Sequence, residues 1–289
     1  MSHIRTLSLL LLTFLVGGCE WVNSRFSAKP DITYVTAGEG YAEKPDFARV
    51  EYEHPIPLKE LAKITPAYLS GRTQEELDQI YARLAAGPMP DGPFNGSIVF
   101  PRGSSGRFRI AEVLGGLKGI AAQFKVKKLE VAGEALWKGK VFYREQKVLR
   151  NRIEDLAILR PILGEGELQK ISVDGRDAWL LFPAKLYCGQ SLLDSRRESI
   201  IVDYAFTDEI PGYREKPDFL AGRNGLKVRD EIRMIRPGLY LGRAYMDRVF
   251  VLNFILESPD QEKAGAAEFE AGQIKQDCWA GSQPRVALR

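Results

Sequence analysis

The residues of this sequence best placed to do chemistry lie in one stretch, VRDEIRMIRPGLYLGRAYM, at positions 228–246. Pro237-Gly238 is a turn signal between two runs rich in β-branched and aromatic residues. Taken as the turn, it sets Arg236 against Leu239, Met234 against Leu241, Ile232 against Arg243 and Asp230 against Tyr245. One face of the hairpin then carries Val228, Asp230, Ile232, Met234, Leu241, Arg243 and Tyr245. Asp230 and Arg243 become diagonal neighbours, close enough for a charge-assisted pair. Two readings fit that pattern. A charge in a core survives only when paired, so the two form a structural ion pair. Alternatively they are the polar anchor of a largely apolar ligand pocket, with Asp230 as acid or base and Tyr245 as proton donor if the pocket is catalytic.

Elsewhere the chemistry is sparse. The two histidines are His3, at the very start, and His54, in the Pro-rich segment EYEHPIPL. No His, Cys and carboxylate cluster has metal-site spacing, and no GxSxG, P-loop or dinucleotide fingerprint occurs. The sequence therefore names no catalytic residue, metal or cofactor, and points to binding more than to catalysis. A net charge of +3, from 41 Lys and Arg against 38 Asp and Glu, is too close to neutral for a nucleic-acid binder.

The elements that must position the hairpin divide the chain by texture. TQEELDQIYARLAAG opens on Thr73 with Glu76 three residues later, a capping box, and ends at Gly87. Leu77, Ile80, Tyr81 and Leu84 give that helix one apolar stripe. A Gly/Pro loop leads to a short strand near 97–100, and a second helical pattern starts near Phe108 and runs to Phe124. Beyond Trp137 the runs KGKVFYREQKVLRNRI, DAWLLFPAKLY, SIIVDYAF, VRDEIRMIR, GLYLGRAYM and VFVLNFILE alternate with turn residues. The fold class is α+β: a helix-rich part over 58–136, then a β-rich part over 137–257 forming a curved antiparallel sheet, a barrel of lipocalin/calycin-like architecture. A helical tail over 258–289 completes a single domain. Trp137-Lys138-Gly139-Lys140-Val141-Phe142, with FNGSIVF and the late strand pair, resembles the uncharacterised GXWXG-type barrel domains. That resemblance implies a small barrel and transfers no catalytic residue.

The start of the chain has an address. Arg5 precedes an apolar run from Leu7 to Val16, then Gly17, Gly18 and Cys19, the layout of an export signal over residues 1–18. The run is about ten residues, half the ~20 that a membrane-spanning helix needs. Leu15-Val16-Gly17-Gly18-Cys19 resembles the lipobox of bacterial lipoproteins, which implies cleavage before Cys19 and a diacylglycerol thioether on it. An ordinary signal peptide with a chance cysteine is the alternative. Glu20 is not the aspartate associated with inner-membrane retention, so the resemblance favours the outer membrane with the body in the periplasm, the inner membrane being the second choice. The mature chain keeps 40 basic against 38 acidic residues, since Arg5 is the only charged residue lost. Residues 19–57, polar and Pro-containing, read as a lipid-anchored tether.

With Cys19 acylated, the three cysteines leave one pair, Cys188 and Cys278, in an oxidising compartment. A disulfide would close a loop of roughly 90 residues and add ~4–5 kcal/mol on the chain-entropy account; two free buried thiols are the alternative. GYAEKPDF at 40–47 returns as GYREKPDF at 212–219 with unmatched flanks, either a reused turn or two loops meeting one kind of surface. The partners expected are the membrane, through the lipid on Cys19, and either a small apolar or amphiphilic ligand or an envelope protein, with no nucleic acid. An enzyme acting on such a ligand and a purely structural envelope protein are the competing expectations.

Overall fold

The computed structural model describes residues 29–36, 45–99, 137–157 and 159–281. Cys19, the helix expected over 108–124 and most of the first GYxEKPDF copy lie outside them.

Among the described residues, four short helices, α1 (Phe47–Glu53), α2 (Leu58–Leu61), α3 (Pro66–Ser70) and α4 (Gln74–Ala82), precede the sheet. The capping box forms: the Thr73 hydroxyl accepts from the Glu76 N–H at 3.2 Å, and the Glu76 carboxylate accepts from the Thr73 N–H at 2.8 Å. The helix stops at Ala82, short of the expected Gly87, whose positive φ of 71° serves the loop into the sheet instead. Ahead of α1, residues 30–35 lie across the helices as an extended strap. The Gln79 side-chain amide accepts from the Val35 N–H at 2.9 Å and donates to the Val35 carbonyl at 2.7 Å, while Arg83 donates to the carbonyls of Thr33 and His54.

Nine strands follow: β1 (Gly92–Val99), β2 (Trp137–Tyr143), β3 (Val148–Ile153), β4 (Lys170–Val173), β5 (Arg176–Gln190), β6 (Glu198–Asp203), β7 (Val228–Arg236), β8 (Leu239–Met246) and β9 (Val249–Glu257). Every pairing is antiparallel. β9 returns to β1 and β3 pairs with β5, so eight strands close into a barrel, and β4 is a short flap on the start of β5. Helix α5 (Pro259–Glu270) follows β9.

Alternation along each strand sends one set of side chains into the lumen. Phe94, Phe142, Leu149, Ala184, Leu186, Ile200, Val202, Ile232, Met234, Tyr240, Phe254 and Leu256 pack there as one buried cluster. Edge-to-face ring contacts bridge it, Phe94 with Phe142 at 5.4 Å, Phe94 with Tyr240 at 5.8 Å, and Trp137 with Phe254 at 5.6 Å. Gly242 faces this cluster for want of room: a Cβ there would stand 2.2 Å from the Phe254 ring. Outside, α3 and α4 cover β7–β9, burying Leu69, Leu77, Ile80, Tyr81 and Leu84 against Ile235, Leu239, Leu241 and Ile255.

The hairpin of β7 and β8 turns at Pro237-Gly238 as the sequence predicts, and Arg236 does oppose Leu239. The register beyond is corrected by one residue. An irregularity between Met234 and Arg236 lets Met234 oppose Tyr240, Ile232 oppose Gly242 and Asp230 oppose Ala244. Because strands have period two, that slip turns all of β8 over. Asp230, Ile232 and Met234 keep the lumenal face; Leu241, Arg243 and Tyr245 move to the outer one.

The barrel end at Gln190, Glu198, Met234 and Tyr240 is closed by the loop 86–89 and the tail after α5. Gly87 and Met89 donate backbone N–H groups to the side chains of Gln276 and Asp277 at 2.9 and 2.8 Å, and Glu198 and Trp279 exchange two hydrogen bonds. Cys188 of β5 and Cys278 of the tail stand at disulfide distance there, their Cα atoms 5.3 Å apart. Leu159 and Ile162 pack with Ile153 and Leu181 at the opposite end. In protein purified without reductant, neither thiol should react with an alkylating agent until a reductant is added; immediate labelling of both would show that the lid is not cross-linked.

Candidate functional site

Strand β2 alternates Lys140 and Phe142 onto the face that β1 and β3 present to the lumen, where Lys140 lies opposite Phe94 and Asn151. A lysine among phenyl rings is tolerable only if its charge and all three N–H bonds are met. They are. The Lys140 Nζ donates to Asp230 Oδ2 at 2.9 Å, to the Tyr204 hydroxyl at 2.7 Å and to Asn151 Oδ1 at 2.9 Å. Around it stand the rings of Trp137, Tyr204 and Phe254, each within 5.5 Å of the ammonium.

The partners are saturated in turn. Asn151 Oδ1 also accepts from the Trp137 indole N–H at 2.9 Å, and its amide donates to the Tyr204 hydroxyl at 2.9 Å and to the Phe182 carbonyl at 3.0 Å. That carbonyl is turned by the bulge at Phe182, where φ is +50°. Tyr204 keeps one proton, aimed at Asp230 Oδ2 at 3.4 Å. Burial by itself pushes the Lys140 ammonium down, but the Asp230 carboxylate and the Tyr204 hydroxyl outweigh it and hold the group above lysine's ordinary value. Burial raises the Tyr204 phenol to about 12.

Asp230 therefore has a cationic partner in the lumen, and it is Lys140, not Arg243. Arg243 sits on the outer face under α4, buried, with its guanidinium paired to Asp78 and donating to the Tyr245 hydroxyl at 3.0 Å. Stacking over Phe250 at 4.2 Å completes its surroundings. Desolvation works against its charge, yet Asp78 and Tyr245 raise its pKa on balance. Asp230 and Tyr245 thus lie on opposite faces of the sheet and cannot share an acid–base step. Of the residues singled out as a pocket, Ile232 and Met234 line the lumen with Asp230, while Leu241 packs beneath the helices.

The missed residues are Lys140, Asn151, Tyr204 and Trp137. WKGKVFY held the signal for one of them: period two puts Lys140 on the same face as Phe142, a charge on an apolar face that demands a partner. Asn151 carries no comparable signal although the β2–β3 hairpin alone sets it opposite Lys140, and Tyr204 carries none because only barrel closure brings the end of β6 to β2. Another charge the sequence did not single out is Arg233, fully buried on the outer face. Its guanidinium donates to Ser199 Oγ at 2.9 Å and to the carbonyls of Tyr81, Asp194 and Arg197 at 3.0–3.1 Å, fastening α4 and the loop 191–197 to the barrel.

The two GYxEKPDF copies use their aspartate differently where both are described. Asp46 caps α1 by accepting from the N–H groups of Ala48 and Arg49, whereas Asp218 accepts from those of Arg214, four residues before it, and of Phe182 on β5, at 2.9 and 2.7 Å. His54 ends α1, and its carbonyl is tied to Arg83. No protein family, curated protein or solved structure matches the chain.

Lys140→Met should leave Asp230 buried and unpaired, at a cost of about 3–5 kcal/mol in chemical denaturation. A double-mutant cycle of Lys140→Met with Asp230→Asn should return a coupling above about 1 kcal/mol, and the cycle of Asp230→Asn with Arg243→Met one below about 0.5. The reverse ranking would restore the unbulged register. The alkaline limb of stability follows by linkage. Both Lys140 and Tyr204 are raised in the fold, so their contribution is complete below about pH 10 and falls as pH rises through the unfolded values toward the folded ones. Lys140→Met should flatten that limb; an unchanged alkaline slope would show that the ammonium does not carry it.

Proposed function

We propose that this chain is a lipid-anchored periplasmic protein, held at the outer membrane through Cys19, that engages an envelope partner with its outer surface. The observation that carries this reading is the state of the lumen. A barrel of the lipocalin/calycin-like kind binds an amphiphile by leaving its interior vacant. Here ring contacts fill the wall formed by β1, β2, β8 and β9, and the polar groups that cross the lumen from Lys140 to Asp230 and Tyr204 are already bonded to one another. Lys140 has no N–H left to offer a ligand headgroup, and neither it nor Asp230 is free to move a proton to a substrate. The lipobox and the cysteine pair at the lid support export and anchoring.

Intact mass and native mass spectrometry on the detergent-extracted full chain test both parts. The expected chain begins at an acylated Cys19 and carries no stoichiometric small molecule, and Cys19→Ser leaves the membrane fraction. A membrane-bound chain with any other N-terminus would overturn the anchor. A lipid or fatty acid retained one-to-one would favour the lumenal-ligand reading instead.

A further inference from the structure

The strap decides how near the barrel stands to its anchor. From the sequence, everything up to residue 57 reads as tether. In the structure Pro30 is already buried, the Asp31 N–H donates to Glu60 at 2.7 Å, and the strap is fixed through Val35. Only the ten residues after Cys19, from Glu20 to Lys29, remain to span the gap. Fully extended they reach no further than about 35 Å, roughly the width of a small domain. The body is therefore held at the bilayer, and the point of attachment determines which side meets it.

That attachment is at the lidded end. α2, which receives the strap, packs against the tail, with Leu58 beside Gly272, and α1 is bound to the loop 191–197 through Glu51, paired with Arg196 and Arg197. Three of the large apolar side chains most exposed in the described chain gather round this end: Tyr52 on α1, 88% exposed, Leu192 in the loop, 38%, and Trp279 in the tail, 44%. Glu198 at the rim fixes the Trp279 backbone by two hydrogen bonds, so the indole is presented on a rigid base. Trp and Tyr favour the headgroup region of a bilayer, where an apolar ring and a polar edge are both accommodated. Most carboxylates near them are paired with cations, Glu51 and Asp194 with Arg196, Glu53 with Arg49, Glu231 with Arg229 and Asp277 with Lys275 at 3.0 Å, while Glu198 accepts the Trp279 N–H.

We infer that the lidded end of the barrel, through Trp279, Tyr52 and Leu192, docks on the surface of the membrane that holds the anchor. The inference rests on the lipid-anchor reading above. It leaves the opposite end, where Asp203, Val228 and Met246 lie, turned away from the bilayer.

The test uses the natural tryptophans of the lipidated full chain in vesicles of phosphatidylethanolamine and phosphatidylglycerol, with and without bromine on the acyl chains. Trp21, two residues from the anchor, reports the anchor itself; Trp279 reports docking; Trp137 and Trp179 belong to the barrel. Brominated lipid should quench one emission component that Trp21→Phe removes and a second that Trp279→Phe removes. Tyr52→Ser with Leu192→Ser, both surface changes, should lessen the Trp279 component and leave that of Trp21 intact. Quenching at Trp21 with none at Trp279 overturns the docking inference while the anchor stands. No quenching at Trp21 overturns the anchor. Quenching at Trp279 that persists in the unlipidated Cys19→Ser chain shows docking that needs no anchor, and so supports the surface and not the tether argument.

Discussion

An ammonium group has three N–H bonds and a full charge, and in a lumen lined by phenyl rings it must find three acceptors, one of them anionic. Lys140 finds them on three other segments: Asn151 on β3, Tyr204 at the end of β6 and Asp230 on β7. Those segments are adjacent only when the sheet closes, because β3 reaches β6 and β7 through the β3–β5 pairing. The pair therefore penalises every open or slipped arrangement of the sheet, since each would strand a charge in apolar surroundings. Stability and specificity separate here: an apolar replacement of similar volume can match the energy of a buried ion pair, but it does not dictate which strands meet.

The outer face repeats the same logic with arginine. Arg233 and Arg243 project from neighbouring strands beneath α4, and each is met by groups from the N-terminal region, Tyr81 and Asp78 respectively. A guanidinium offers a planar fork of donors, so it can bind several carbonyls at once where lysine would bind by charge alone. The helices are short, and helices of this length do not persist on propensity. Their order comes from the apolar stripe of α4 and from these clamps. The strap depends on α4 in turn through Gln79 and Arg83, so the distance from anchor to body traces back to the outer face of β7 and β8.

Much of the architecture was legible in the sequence because it rests on local rules. The capping box at Thr73 and Glu76, the Pro237-Gly238 turn and the β-branched runs all place elements where the structure has them. Cysteine parity pointed to the pair that meets at the lid. The candidate site was half legible. Asp230 was identified as a buried acid needing a cation, but its partner depended on register, and a single irregularity near Ile235 inverted β8. Nothing in MIRPG announces that irregularity; it arises where the Met234 N–H turns to the Ala85 carbonyl, a contact between segments far apart in the chain. Tyr204 was illegible for the same reason, while Asn151, eleven residues from Lys140, meets it through the β2–β3 hairpin.

The central claim is that the interior is a completed network and not a vacant site, and the Lys140 ammonium reports on it directly. A nitrogen-15 spectrum selective for lysine ammonium groups, assigned with Lys140→Arg, reads the exchange of its three protons with water near neutral pH. The account predicts one ammonium signal with protons retained far longer than those of surface lysines, unaffected by added fatty acid or phospholipid. A Lys140 signal that exchanges as fast as the others, or that shifts when an amphiphile is added, would mean that the lumen is open and that its polar groups are still available for binding.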